Sequence, residues 1–218
     1  MSLKTIDLDV LNVKEKAYLI GIIMGDGYLY HDKWRHYKTN IYLNPNKDED
    51  IAKSVLLILT KIGINSYTMY HHGCLIIRFN LKAFFEFINK ELNKVKNNED
   101  SDFMIGFISG FIDSDGYVSY GDIVVSNVNK EIIDITNNFC KKLKIKTKIW
   151  NQNTLFKGKV FNIWRLRIGT SFKYEKHYSQ KLNRIYGGAL PIIASIRSEM
   201  DDTYKGGVAR KSRRAHNP

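Results

Sequence analysis

Cysteine is nearly absent from this 218-residue chain: Cys74 and Cys140 are the only two, and no CxxC or HExxH accompanies them. That leaves no disulfide framework and none of the usual zinc spacings, only two reduced, buried thiols, one in a strand-like and one in a helix-like segment. Long apolar runs are missing too. None approaches the roughly 20 residues that span a bilayer. The opening MSLKTIDLDVLNVKEK lacks the charged-then-apolar layout of a secretory signal, so an intracellular protein is expected. Acid is the third shortage: 22 Asp and Glu stand against 34 Lys and Arg, a net charge of +12. The imbalance is uneven. Residues 1–100 hold 14 basic and 12 acidic side chains, and residues 101–218 hold 20 and 10. Such an excess fits a polyanionic partner, nucleic acid ahead of an anionic membrane. The rest is ordinary for a folded protein, with 44% hydrophobic and 12% aromatic residues.

Two stretches stand out by their likeness to each other. YLIGIIMGDGYLY (18–30) and FISGFIDSDGYVSY (107–120) are each an apolar run that ends on an acid before glycine and tyrosine. They superpose at an offset of 89 residues (115 minus 26), pairing Ala17 with Gly106, Gly21 with Gly110, Gly25 with Ser114, Asp26 with Asp115, Gly27 with Gly116 and Tyr28 with Tyr117. The likeness continues through NIYLN (40–44) and IVVSN (123–127), NKDEDIAKSVLLILTKIGI (46–64) and NKEIIDITNNFCKKLKI (129–145), and IIRFNLKAFF (76–85) and RLRIGTSFKY (165–174). Periodicity predicts one order in each copy: helix, two strands, helix, two strands, helix. In the first copy these are helix 14–26, strands 28–32 and 38–44, helix 47–62, strands 66–71 and 74–80, and helix 82–92. In the second they are helix 102–115, strands 117–120 and 122–127, helix 129–143, strands 146–153 and 160–168, and helix 171–183. The class is α+β. Two tandem repeats occupy 1–97 and 98–185, joined through the polar NKVKNNEDSD (93–102), with an extension over 186–218. The extension begins with YGGALPIIASIRSEM, suited to a strand or short helix. It ends with five basic residues and no acid (Lys205, Arg210, Lys211, Arg213 and Arg214), a solvated end or an arm on phosphates.

Small residues recur every fourth position before each acid: Ala17, Gly21, Gly25 in one helix and Gly106, Gly110, Ser114 in the other. That spacing makes a stripe along one helix face, where a second helix can approach to backbone contact. The two stripes are expected to face each other about a pseudo-twofold axis, which brings Asp26 and Asp115 to one edge of the interface. Gly27 and Gly116 suit a left-handed helix-ending residue. Two carboxylates there face the negative ends of their own helices and each other. A divalent cation relieves that conflict, and oxygen ligands without His or Cys point to Mg²⁺. Asp113 has Met24 as its counterpart, so it stands outside the symmetric pair and is expected to cap locally or to be solvated.

At these residues the chain resembles the LAGLIDADG homing endonucleases. ISGFIDSDG (108–116) keeps the family's glycine, its sixth- and eighth-position acids and its closing glycine; LIGIIMGDG (19–27) lacks only the sixth-position acid. Two motifs in one chain resemble the single-chain, pseudo-symmetric branch. The resemblance implies an αββαββα unit used twice, packed through the motif helices, with antiparallel sheets forming a saddle over double-stranded DNA. It implies a monomer that makes a Mg²⁺-dependent (or Mn²⁺-dependent) staggered double-strand break at a long, near-asymmetric target. Asp26 and Asp115 hold the metal and drive hydrolysis, with the preceding Gly25 and Ser114 assigned to the same metal site. Asn44 and Asn127 match the family's polar residue at the end of the second strand. Lys82 matches its basic residue near the start of the last helix of a unit; the aligned residue in the second copy is Ser171, with Lys173 two positions on. An intron maturase and a non-catalytic DNA-binding regulator are the alternatives on the same fold.

DNA reading would fall to the strands. Alternation puts Asn40, Tyr42 and Asn44 on one face, as it does Ile76, Arg78 and Asn80. Lys146, Lys148, Trp150 and Gln152 share another, and Ile163, Arg165 and Arg167 oppose the apolar Trp164, Leu166 and Ile168. Arg, Asn and Gln suit bidentate contacts to base edges, and a two-stranded ribbon fits the major groove. Asn40, Tyr42, Arg78, Asn80, Lys146, Lys148, Gln152, Arg165 and Arg167 are therefore the expected DNA-binding set. In DIVVSN the alternation is ambiguous.

Overall fold

In the computed structural model, which describes residues 6–32, 36–156, 158–175 and 177–186, two helices are apolar nearly all the way round. α1 (Val13–Asp26) buries residues 17–23 without a break, and α4 (Ser101–Asp115) buries residues 103–113. A helix with no solvent stripe must sit inside the molecule, and these two lie along each other at its centre. Their starts are set locally. The Asn12 side chain accepts from the Glu15 amide while Glu15 reaches back to the Asn12 amide, a reciprocal cap. Asp100 accepts from the amides of Asp102 and Phe103.

The small residues set the approach. A Cβ on Gly21 would collide with the Phe107 carbonyl oxygen and stand 2.8 Å from the Phe111 nitrogen. One on Gly110 would collide with the Tyr18 carbonyl oxygen and stand 2.9 Å from the Ile22 nitrogen. Gly27 and Gly116 differ from expectation. They are extended, at φ −86° and −93°, not left-handed. Glycine is needed there because each chain turns straight from helix into strand, where a Cβ would strike the carbonyl oxygen of Ile23 or Ile112.

Each central helix leads into a four-stranded antiparallel sheet. The first comprises β1 (Gly27–His31), β2 (Tyr37–Leu43), β3 (Tyr67–His71) and β4 (Cys74–Phe79), in the order β1-β2-β4-β3. The second comprises β5 (Gly116–Val118), β6 (Ile123–Asn127), β7 (Thr147–Phe156) and β8 (Lys159–Ile168), in the matching order β5-β6-β8-β7. Alternation decides the faces. Ile41, Leu43, Leu75, Ile77 and Phe79 point into the core in the first sheet, and Ile123, Val125, Leu166 and Ile168 in the second. That settles DIVVSN, whose Ile123 and Val125 are buried while Val124 and Ser126 are not.

α2 (Glu49–Lys61) adds Ile51, Val55, Ile58 and Leu59 to the same core, and α5 (Lys130–Lys142) adds Ile133, Phe139 and Cys140. Cys140 is buried as expected; Cys74 is only partly so. α3 (Lys82–Val95) closes the first unit.

The second unit closes differently from the expected single helix over 171–183. A 3₁₀ turn (Thr170–Tyr174) comes first, residues 177–179 belong to no helix, and a short α6 (Gln180–Tyr186) follows. The break has a cause. The Tyr178 amide donates to Ser109 Oγ, and the Ser179 hydroxyl and the amides of Gln180 and Lys181 donate to Asp113. A helix running through 171–183 would consume those amides within itself. The strand or short helix expected from residue 186 and the five basic residues of the extension lie outside the described residues.

Candidate active site

Asp26 and Asp115 are the last residues of α1 and α4, and the backbone contact between these helices brings them to one edge. Burial first, and the Asp115 charge second, push Asp26 up to about 7. Burial also raises Asp115, against the hydrogen bond from Asn127 and the charge of Lys181. Each acid thus behaves as a carboxylate short of positive charge. An ideal Cβ on Gly25 would stand 3.2 Å from Asp115 Oδ2, so glycine at that position also makes room for the carboxylate across the interface.

The two halves differ around this pair. Asn127 Nδ2 donates to Asp115 Oδ2 at 2.6 Å, while Asn127 Oδ1 accepts from the Asn129 amide. Asn44 makes the same local turn with the Asn46 amide, but no hydrogen bond joins it to Asp26 among the described residues. The register explains why. Gly27 pairs with Ile41 and Gly116 with Val125, so the counterpart of Asn127 is Leu43, a buried core residue. Aligning the letters NIYLN and IVVSN slips the match by one, and in a strand one position is the opposite face. On the first side the charge of Asp48 also raises Asp26. Asp48 accepts from the Asn44 amide and lies 3.9 Å from Arg184.

Lys181 is a site residue that the sequence reading missed. Its Nζ donates to the carbonyl oxygens of Ser114 (3.0 Å) and Gly116 (2.9 Å) at the C-terminal end of α4, and its charge lowers both acids. The SQKL run over 179–182, a serine before a helix start, was the available signal; the Leu182 amide donates to Ser179 Oγ. Asp113 is neither a local cap nor solvated. It is fully buried and takes four donors from elsewhere in the chain: Tyr18 OH, Ser179 Oγ and the amides of Gln180 and Lys181. Burial still lifts it to about 6. Asp113 therefore caps α6 across the molecule and seats Lys181 against α4.

Lys82 has other partners. It pairs with Glu86 at 3.4 Å and lies over the Tyr37 ring, on the wall of an open hollow of about 1410 Å³ lined also by Tyr28, Tyr30, Lys38, Asn40, Arg78 and Asn80. Lys173 sits over the rings of Tyr174 and Tyr186, and Ser171 is exposed. Within the hollow, Asn40 is buried; it accepts from Arg78 Nε at 2.8 Å and donates to Tyr42 OH at 3.1 Å. Its amide aims Arg78 and is not free to read a base. On the second sheet Lys148 pairs with Arg167, Trp150 with Arg165 and Gln152 with Ile163, all facing away from the core. Arg167 is tethered by Asp122, and Lys146 is exposed just before β7.

The donor chemistry at the acids fits a hard cation. Two carboxylates and main-chain carbonyls offer oxygen alone, and Mg²⁺ commonly takes one or two carboxylates and keeps its waters for a phosphate. Among the described residues no group of three or more His, Cys, Asp or Glu is arranged for a metal, so the pair would hold such an ion together with water and substrate. The Ser114 carbonyl already accepts from Lys181.

A LAGLIDADG-like domain matches residues 102–180. Two uncharacterized proteins of Methanocaldococcus jannaschii are similar. One is 30% identical over 156 residues, 67% of this chain and 55% of the relative. The other is 26% identical over 169 residues, 68% and 62%. The chain thus spans less than two thirds of each relative's length. Among solved structures, mesophilic variants of the homing endonuclease I-DmoI superpose with a TM-score of 0.62 at 16% identity, covering 81% of this chain and 96% of theirs. I-DmoI in complex with DNA and Ca gives 0.62 at 18%, covering 87% and 100%. Full-length DUF199/WhiA from Thermatoga maritima gives 0.56 at 14%, covering 92% and 68%. At these identities the likeness is one of fold. Residues 102–180 thus form a LAGLIDADG-like domain, and the chain shares the fold of the homing endonuclease I-DmoI.

Proposed function

We propose that the protein is a site-specific DNA endonuclease of the homing type, acting as a monomer and using Mg²⁺ or Mn²⁺ to make a staggered double-strand break at a long, near-asymmetric target. The observation that carries this reading is the shared edge of the two motif helices, where burial raises both Asp26 and Asp115 and the Asp115 charge raises Asp26 further. A protein that only binds DNA has no use for two repelling carboxylates on its central helices. I-DmoI, which has the same fold, has been solved with DNA and Mn and with DNA and Ca.

When bound at the two carboxylates, a divalent cation supplies charge relief at the scissile phosphate and a water acidic enough to attack near neutral pH. The chain's own groups do the rest. Asn127 holds one oxygen of Asp115 and fixes the direction of the other. Lys181 carries a charge at the same edge, where negative charge develops on the phosphate. Arg78, Arg165 and Arg167 suit guanine edges, and Asn80 and Gln152 suit adenine. Leu43 opposite Asn127, and a single Lys181, make the two half-sites chemically unequal.

The test is a selection. Duplexes that bind the full chain in Ca²⁺ are recovered from a random library, Mg²⁺ or Mn²⁺ is added, and the ends are sequenced. One discrete staggered break is expected. Tight, selective binding with no cut under any divalent metal would replace this reading with a non-catalytic regulator.

A further inference from the structure

We infer that the outer half of the β7–β8 ribbon engages DNA beyond the reach of the first unit, so that the protected target is longer by about four base pairs on the side of the second unit. The inference rests on the DNA reading above and goes past it to the shape of the target.

The two ribbons share a register and differ in length. Arg78 lies opposite Tyr67, and Arg167 opposite Lys148. From Arg78 the first ribbon runs four residues to Cys74 and closes through His72 and Gly73, both at positive φ (49° and 78°), the tight two-residue hairpin turn. From Arg167 the second runs eight residues to Lys159. The excess of four residues, at roughly 3.3 Å each, is about 13 Å, or about four base pairs at roughly 3.4 Å of rise.

Nothing in the described chain covers that excess. Asn153, Leu155, Lys159, Val160, Phe161 and Asn162 are all exposed, Leu155 and Val160 by 71% and 67%. Exposure on both faces of the ribbon distinguishes this stretch from the inner half, where Leu166 and Ile168 are buried. Charge names the occupant. Residues 153–162 hold two lysines and no acid, at the end of a ribbon whose residues 146–168 hold six Lys and Arg and no acid, whereas residues 67–80 hold only Arg78. A cationic two-stranded ribbon with polar and apolar side chains exposed matches a duplex groove, its lysines on phosphates and its apolar groups on sugars and thymine methyls.

Hydroxyl-radical footprinting on a duplex selected by the full chain in Ca²⁺ tests this. Replacing residues 153–162 with Asn-Gly gives the second ribbon the length of the first. The wild-type footprint is expected to lose about four base pairs at one end, with the centre and other end unmoved. Lys159→Glu, which leaves the hairpin whole, is expected to weaken protection at that same end and decides the matter if the shortened chain fails to fold. Unchanged ends in these variants, or equal change at both, would overturn the inference while leaving the DNA reading standing. A wild-type chain that protects no duplex would overturn both.

Discussion

Asp26 shows most plainly how position sets chemistry. An aspartate in the unfolded chain titrates near 3.8; here burial and Asp115 hold it near 7. The raised value means that the folded protein prefers the protonated acid. Its contribution to stability is complete below about pH 4 and is lost as pH rises through 7. Asp26→Asn keeps the shape without the charge. In metal-free buffer it should match wild type at pH 4 and exceed it at pH 8 by up to about 4 kcal/mol, a rise in Tm of up to roughly 8–16 °C by calorimetry; equal melting at pH 8 would remove the buried-charge account. The acids were legible from spacing alone, because the i, i+4, i+8 stripe dictates where a helix end must go. Asn44 was misread because only the strand register reveals that Leu43 holds its place. Lys181 was hidden because its partners, Ser114 and Gly116, are distant in the chain and its helix starts in an unexpected place.

Among the elements, the α1–α4 pair bears the greatest constraint. A methyl at Gly110 meets main-chain atoms of Tyr18 and Ile22, which cannot rotate away, whereas one at Gly121 meets nothing within 4 Å. Gly110→Ala should lose more than about 3 kcal/mol in urea unfolding, and Gly121→Ala should change little; a mild Gly110→Ala would show that the helices have room to part. α6 is the other informative element. In Asp113→Asn an amide group replaces one carboxylate oxygen and faces N–H and O–H donors. With the α6 seat disturbed, Lys181 shifts. Single-turnover cutting should fall about a hundredfold while the Kd for the duplex stays within a few-fold. Parallel losses in both would mean that Asp113 serves general stability instead. The helices and strands of both units were readable from periodicity, the broken last helix was not: its start is dictated by Asp113, a contact across 66 to 68 residues.

At the scale of the whole molecule, the net charge of +12 is concentrated after residue 100, and the second sheet carries most of the basic side chains expected on DNA. If six or more phosphates are neutralised, log Kd against log salt should have a slope of about 5 or steeper, measured by fluorescence anisotropy; a flat response would contradict a saddle on the duplex backbone. The doubled architecture was legible as an offset of 89 residues found between Asp26 and Asp115 and again between Arg78 and Arg167. The inequality of the halves was only partly so. It shows in Met24 opposite Asp113, but Leu43 opposite Asn127 and the longer second ribbon needed the sheets to be paired.

The central claim is that one shared acid pair cuts both strands. On a duplex chosen by the wild-type chain, single-turnover cleavage in Mg²⁺ by Asp26→Asn and by Asp115→Asn tests it. Each variant should bind within a few-fold of wild type and lose double-strand cleavage by about a thousandfold or more. Wild-type double-strand cutting by either variant would place the reactive centre somewhere other than the meeting of the two motif helices.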